Sequence, residues 1–401
     1  MRFSDNAMSA ILLCSYIGVN QDDVLKPFSL GEWNVFLERI IEKNLEPAVV
    51  LNEDLEILNG LNYDEKNIER IKKLVSRGGA AALELENLAG RGIEVITLFD
   101  TDYPVLLKRK LKRKTPPVLF YSGDINLAKK IGIAVVGARN IEPEGIEFTK
   151  ELVRKASEER LIIYSGGAKG VDTVSENTAI QNGGATVSFI ADSLSAKIKR
   201  KEILDHIIQG KLLLVSDVKP DAGFSAARAM NRNKYIYAAA YGAFVVASDY
   251  NKGGTWAGAV ENLKNKWTKE FVWKHETYTG NLKLIEKGGI PYVIGGEKIY
   301  DLIKKQNDYS QINIFHLNEA VSEDSKEYGG LTDKSQKEVC NRDIYEVVKS
   351  FITENIGTGL NIDQAAEQFN IAKGQMKNWL RRLCDDGILI CKKGIYLKKE
   401  E

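Results

Sequence analysis

The sequence predicts an α/β protein with a doubly wound, mostly parallel sheet, preceded by a small helical domain and followed by a winged helix. Three observations carry this reading. Apolar runs without polar alternation recur between residues 131 and 273, the mark of strands buried on both faces. The segments between them are long enough for crossover helices. Either side of this region the apolar spacing turns helical, and the chain closes on a hairpin pattern.

The centre of the chain is a βαβ unit from Ile131 to Asp172. Ile131–Val136 is an apolar run ending in Gly137, Pro143 opens a helical pattern, and Leu161–Tyr164 leads to Ser165, Gly166 and Gly167. Further strands are expected at Ala185–Ile190, Leu212–Val215, Ala243–Val246 and Glu270–Trp273. Open α/β sheets bind ligands at the carboxyl ends of such strands. Both glycine loops of the unit fall there, and each carries a cation: Arg139 after Gly137, and Lys169 just before Gly170. The pairing points to an anion, although glycines also serve simple tight turns.

Two more segments reach the same edge. Between the fourth and fifth strands, Arg228, Asn231, Arg232, Asn233 and Lys234 crowd the start of an Ala-rich helix. The helix dipole disfavours cations there unless an anion meets them. After the fifth strand, Gly253, Gly254 and Thr255 form a third glycine loop. The familiar phosphate loops do not fit: the first loop lacks three glycines, the second strand ends in Ser165 rather than a carboxylate, and Lys169 is followed by Gly170 rather than Ser or Thr.

Residues 1–90 read as a helical N-terminal domain, with helices around Ala10–Leu13, Trp33–Ile40 and Ile68–Val75. A strand follows at Gly92–Leu98 within a central domain of residues 91–295. Lys108–Lys114 is the densest basic run; a solvated loop is its plain reading, and a phosphate contact the alternative. Residues 296–340 read as a linker, and residues 341–401 as a winged helix-turn-helix. Its helices are expected at Ile344–Phe351, Asp363–Phe369 and Ala372–Leu383, with a hairpin over Ile388–Leu397. Lys373, Lys377 and Arg381 share one face of the third helix, opposite Met376, Trp379, Leu380 and Leu383. That face suits either DNA or a protein partner.

With 401 residues and a formal net charge of +1, any basic surface must be local. Cys14, Cys340, Cys384 and Cys391 have no CxxC spacing, which fits a reduced compartment and offers no metal-ligand pattern. The N-terminus shows no signal-peptide pattern and no stretch is long enough to span a membrane, so a cytoplasmic protein is expected. Catalysis is not expected. None of His206, His275 and His316 lies in a glycine loop, no Ser or Cys pairs with a base, and only Asp172 and Glu261 stand as candidate carboxylates. Asp172 reads better as a helix-start residue bracing its loop. No cofactor and no metal are expected.

The chain resembles the DNA-processing protein A family, also called Smf or DprA. The resemblance runs from about residue 8 to residue 295. It rests on Glu94–Leu98 with Asp102-Tyr103-Pro104, Pro116–Phe120 with Gly123-Asp124, Val135–Arg139, Ser165–Asp172, Asn231-Arg232-Asn233, and Gly280–Gly289, in the family's order. It implies a helical (SAM/HhH-like) N-terminal domain, a Rossmann-like central domain that binds single-stranded DNA, and a homodimer. It further implies transfer of DNA to a RecA-type recombinase in recombination, DNA uptake and natural transformation. On this resemblance Arg139, Lys169, Arg232 and Asn233 contact DNA, with Arg228 and Lys234 close by. Two stretches depart from the family pattern: Ala191–Leu194 lacks a Tyr-Pro loop, and Gly253–Gly258 replaces its usual third loop. The residues leave a second reading open, a nucleotide-sensing or nucleotide-processing protein, possible in phage defence, with Gly253-Gly254-Thr255 and Glu261 as its loop and carboxylate.

Overall fold

The computed structural model describes residues 3–19, 25–52 and 55–306, and, towards the C-terminus, 349, 352–353, 356, 359–368, 373–392 and 394–398. These residues fall into two compact units, one spanning 101–329 and one combining 1–100 with 330–401. None of the described helices is long and apolar enough to cross a membrane.

In the second of these units, helices α1 (Asp5–Cys14), α2 (Leu30–Glu42), α3 (Glu65–Ser76) and α4 (Gly78–Gly90) form the N-terminal bundle. Their starts are written in the sequence. Ser29 and Glu32 form a reciprocal capping box at α2, and Asp64 caps α3 by accepting from Asn67 N at 2.7 Å. Strand β1 (Glu94–Thr97) ends where the Asp100 carboxylate accepts from Thr97 N and Thr97 Oγ1.

The unit of residues 101–329 opens with α5 (Val105–Leu111) and one 3-10 turn, Lys112–Lys114. It continues with β2 (Val118–Ser122), β3 (Gly132–Val136), α6 (Pro143–Glu158), β4 (Ile162–Ser165), α7 (Val171–Gln181) and β5 (Thr186–Phe189). Then come α8 (Leu194–Ile198), α9 (Lys201–Ile208), β6 (Leu212–Ser216), α10 (Ala226–Ala239), β7 (Gly242–Val245) and α11 (Gly253–Asn265). Strands β8 (Glu270–Trp273) and β9 (Ile290–Tyr292) flank α12 (Thr279–Glu286), and α13 (Ile299–Gln306) follows.

The strands lie in the order β2-β6-β5-β4-β3-β7-β8-β9. All neighbouring pairs are parallel except β2 with β6, where Phe120 faces Ser216. The order reverses between β4-β3 and β3-β7, which places a switch point beside the loop that leaves β3. Every residue of β3, β4, β5 and β6 is buried, the physical reason these strands read as unbroken apolar runs. One apolar layer joins Ile133, Val135, Phe148, Leu152, Ile163 and Phe244, with Phe148 stacked on Trp273 at 4.3 Å.

Two segments differ from the sequence reading. The basic run Lys108–Lys114 is helix and 3-10 turn rather than a loop, and Lys110 is drawn inward to donate to Ala240 O. Ala240 caps the C-terminus of α10, where a cation is favoured by the dipole. Helix α13 lies within the segment read as a linker, yet Ile299 and Ile303 are buried in the sheet's apolar layer.

Nearer the C-terminus, α14 (Ile362–Gln368) and α15 (Lys373–Asp385) accompany the antiparallel strands β10 (Leu360–Asn361), β11 (Leu389–Lys392) and β12 (Ile395–Lys398). On α15, Lys373, Lys377 and Arg381 are exposed while Met376, Leu380 and Leu383 are buried. The buried side packs in one apolar cluster with Ala82 and Leu83 of α4. The expected helix at 344–351 lies almost wholly outside the described residues.

Candidate nucleic-acid interface

Two glycine loops interlock to build the floor of a cleft. The first loop leaves β3 through Gly137, Ala138 and Arg139; the second leaves β4 through Gly166 to Gly170 and enters α7. Val171 N donates to Ala138 O at 3.3 Å, and Gly170, at φ +80°, lies against the carbonyls of Ala138 and Arg139. A side chain at residue 170 would strike that backbone and strain its own. Asp172, the second residue of α7, turns back so that its Oδ2 accepts from Ala168 N at 3.2 Å. It braces the loop from the helix start, where a carboxylate is favoured.

The cleft encloses about 480 Å³ and is walled by three loops and α10. Gly137, Arg139 and Asn140 come from the first loop, Ala168 and Asp172 from the second, and Asp249, Lys252, Gly253, Gly254 and Thr255 from the third. Helix α10 supplies Met230, Arg232, Asn233 and Tyr237, and Phe224 precedes it. Both α10 and α11 start at this cleft, so their unsatisfied amides and positive dipole ends favour an anion.

Arg232 is the decisive residue. It is only 6% exposed, and its Nε and Nη1 have no hydrogen-bond partner among the described residues. Burial holds its pKa below the usual arginine range, against the pull of Asp172 and Glu176. A buried guanidinium with unspent donors is costly unless something meets it. Glu176 accepts from Gly167 N at 3.0 Å and from Ser188 Oγ, and burial pushes its carboxyl up to about 7. Asp172 is raised by the same cause and lowered by Arg232.

The sequence-predicted residues separate into three groups. Arg139, Arg232 and Asn233 line the cleft with Gly137, Gly253 and Gly254. Arg139 stands 5.7 Å from the Phe224 ring centroid, and Asn233 Nδ2 donates to Gly254 O at 3.0 Å. Lys169 and Arg228 are exposed and do not line it; Arg228 Nη1 instead donates to Gly223 O at 2.8 Å. Lys234 is turned away, donating to Asn231 Oδ1 at 2.7 Å, with Asp217 and Glu261 as its charged neighbours. Gly166, Gly167 and Gly170 shape the floor without lining the cleft. Glu261 lies outside it, 3.8 Å from Lys114. His206 and His275 do not line it either, and His316 lies outside the described residues. The sequence reading missed Phe224, Met230, Asp249 and Lys252, whose convergence needs the folded chain.

Residues 94–304 match the family DNA recombination-mediator protein A. The chain belongs to this family. A DNA processing protein DprA of Streptococcus pneumoniae is 36% identical over 101 residues, covering 25% of this chain and 36% of that one. Its Bacillus subtilis counterpart is 27% identical over 224 residues, covering 54% of this chain and 73% of that one. The chain thus matches little more than a third of the first relative's length. The X-ray structure of DNA processing protein A from S. pneumoniae superimposes with a TM-score of 0.55 at 20% identity, over 75% of this chain and 98% of that one. This likeness bears on the fold, and the fold is that of the family.

Proposed function

We propose that this protein binds single-stranded DNA in the cleft, as a DNA-processing and recombination mediator in the cytoplasm rather than an enzyme. The carrying observation is Arg232, buried in the cleft with unspent donors where two helix N-termini meet. Arg139 adds a second cation, and exposed Lys169 and Arg228 extend the positive surface beyond the walls. Affinity would come mainly from phosphate contacts and counterion release, with Phe224 as a stacking face. Family membership supports the same reading and adds that the protein works as a homodimer and hands its strand to a RecA-type recombinase. The test is anisotropy with a labelled oligonucleotide. Wild-type protein should bind single strands in preference to duplex, and Arg232→Ala should weaken binding at least tenfold. Undiminished binding by a folded Arg232→Ala protein would sink the proposal.

One observation favours a second reading: the enclosed volume is that of a small-molecule site. A nucleotide-sensing protein would show low-micromolar binding of ATP, NAD or a cyclic nucleotide in isothermal titration. The DNA reading predicts no binding tighter than high micromolar.

A further inference from the structure

Within a strand of DNA, the phosphates and deoxyriboses offer only acceptors, so the hydrogen-bond donors lie on the base edges. A cleft built solely to hold phosphates would therefore display donors and cations. This one also displays free acceptors. Asp249 lines the cleft, is exposed, and has no side-chain hydrogen bond or ion pair among the described residues. Asp172, the other carboxylate of the cleft, is engaged by Ala168 N. Asn233 commits its Nδ2 to Gly254 O and keeps Oδ1 as an acceptor. A carboxylate in the same cleft as Arg139 and Arg232 repels phosphate, so it opposes binding unless a donor reaches it. Phe224, 59% exposed beside Arg139, supplies an aromatic face on the same wall.

We propose that the cleft admits one whole nucleotide, stacks its base at Phe224, and reads an exocyclic amine with Asp249. The inference rests on the single-stranded DNA reading above and adds base discrimination to it. Cytosine N4 and adenine N6 donate to the carboxylate. Thymine places its O4 carbonyl where those amines stand, so acceptor meets acceptor. Thymine is the disfavoured base.

The experiment compares equal-length oligo-dC and oligo-dT by anisotropy at fixed salt and mildly alkaline pH. Wild-type protein should bind oligo-dC roughly tenfold more tightly, the worth of one hydrogen bond to a charged group. In Asp249→Asn the ratio should collapse, and oligo-dT affinity should rise because a negative charge is gone. Asp249→Ala should do the same, which separates loss of the acceptor from any contact made by the new amide. Equal wild-type affinity for the two oligonucleotides, both weakened by Arg139→Ala, overturns base reading and leaves DNA binding standing. A dC preference that persists in both Asp249 variants overturns the role of Asp249. Failure of wild-type protein to bind either oligonucleotide overturns the DNA reading and this inference together.

Discussion

The Arg232 guanidinium packs against Gly166 so closely that a Cβ at residue 166 would overlap its Nη1. The glycine is there for the arginine, not for a backbone angle, since its φ lies outside the left-handed region. Gly166→Ala should therefore displace Arg232 and lower single-stranded DNA affinity about tenfold, while costing about 1–3 kcal/mol of stability through overpacking. Anisotropy and a thermal melt on the same preparation check both effects. Wild-type affinity in a folded Gly166→Ala protein would show that Arg232 does not act from this position.

Arg139 and Lys169 differ in burial, so their alanine variants test how far the phosphate track extends. Removing one cation that pairs with a phosphate should reduce the slope of log affinity against log salt by roughly 0.7. Arg139→Ala should show this reduction. Lys169→Ala should show it only if the strand continues past the cleft wall onto the exposed second loop. Neither should shift the melting temperature much, because cations at loop tips contribute little to the core.

Lys110 tests the basic run. Burial pushes its pKa down to about 7 from an ordinary 10.5. The folded state then binds fewer protons than the unfolded state between those values, so this residue makes stability rise with pH across that window. Lys110→Met should flatten that rise and leave the salt slope of DNA binding unchanged. A loss of slope equal to that of Arg139→Ala would place Lys110 on the DNA instead.

Glu270 gives the opposite sign. It is 2% exposed on β8, and burial raises its pKa from 4.5 to about 8, with Asn262 Nδ2 donating to Oε2 at 2.9 Å. The folded state holds the proton through that range while the unfolded state releases it, so stability falls as pH rises from 4.5 to 8. Glu270→Gln keeps the acceptor and removes the ionisation. It should be more stable than wild type at pH 8, by about 2–4 kcal/mol, and similar below pH 5. Denaturant melts across pH measure this directly.

Removal of everything after about Lys337 should leave single-stranded DNA affinity nearly unchanged, since every residue lining the cleft lies between 136 and 255. It should also lower the stability of the N-terminal bundle, because Ala82 and Leu83 are then deprived of the apolar cluster they share with Met376 and Leu380. A tenfold loss of affinity at fixed salt, with folding intact, would assign the exposed Lys373, Lys377 and Arg381 to the DNA.

The sheet is legible in the sequence because double burial writes an unmistakable pattern: β3 and β4 have no polar-facing side to interrupt it. Arg139 is legible because it follows a glycine at a strand end. Arg232 and Lys234 show where such local reasoning stops. Two residues apart on a helix, they point to opposite sides, so one lines the cleft and the other meets Asn231. Lys110 reads as solvated because charge density is a local property, whereas its partner, Ala240 O, lies far along the chain. Asp249 and Phe224 carry no signal at all. Their meaning comes only from sharing a wall with residues more than eighty positions away in sequence.

Because Gly170 is seated on the carbonyls of Ala138 and Arg139, and Val171 donates into the same turn, the two loops cannot flex independently. The cleft is thereby preorganised. The conformational entropy of arranging its floor is given up once, during folding, and not again at each encounter with a ligand. Capture then becomes a matter of orientation and charge, with speed limited by collision and affinity expressed in how slowly the ligand leaves.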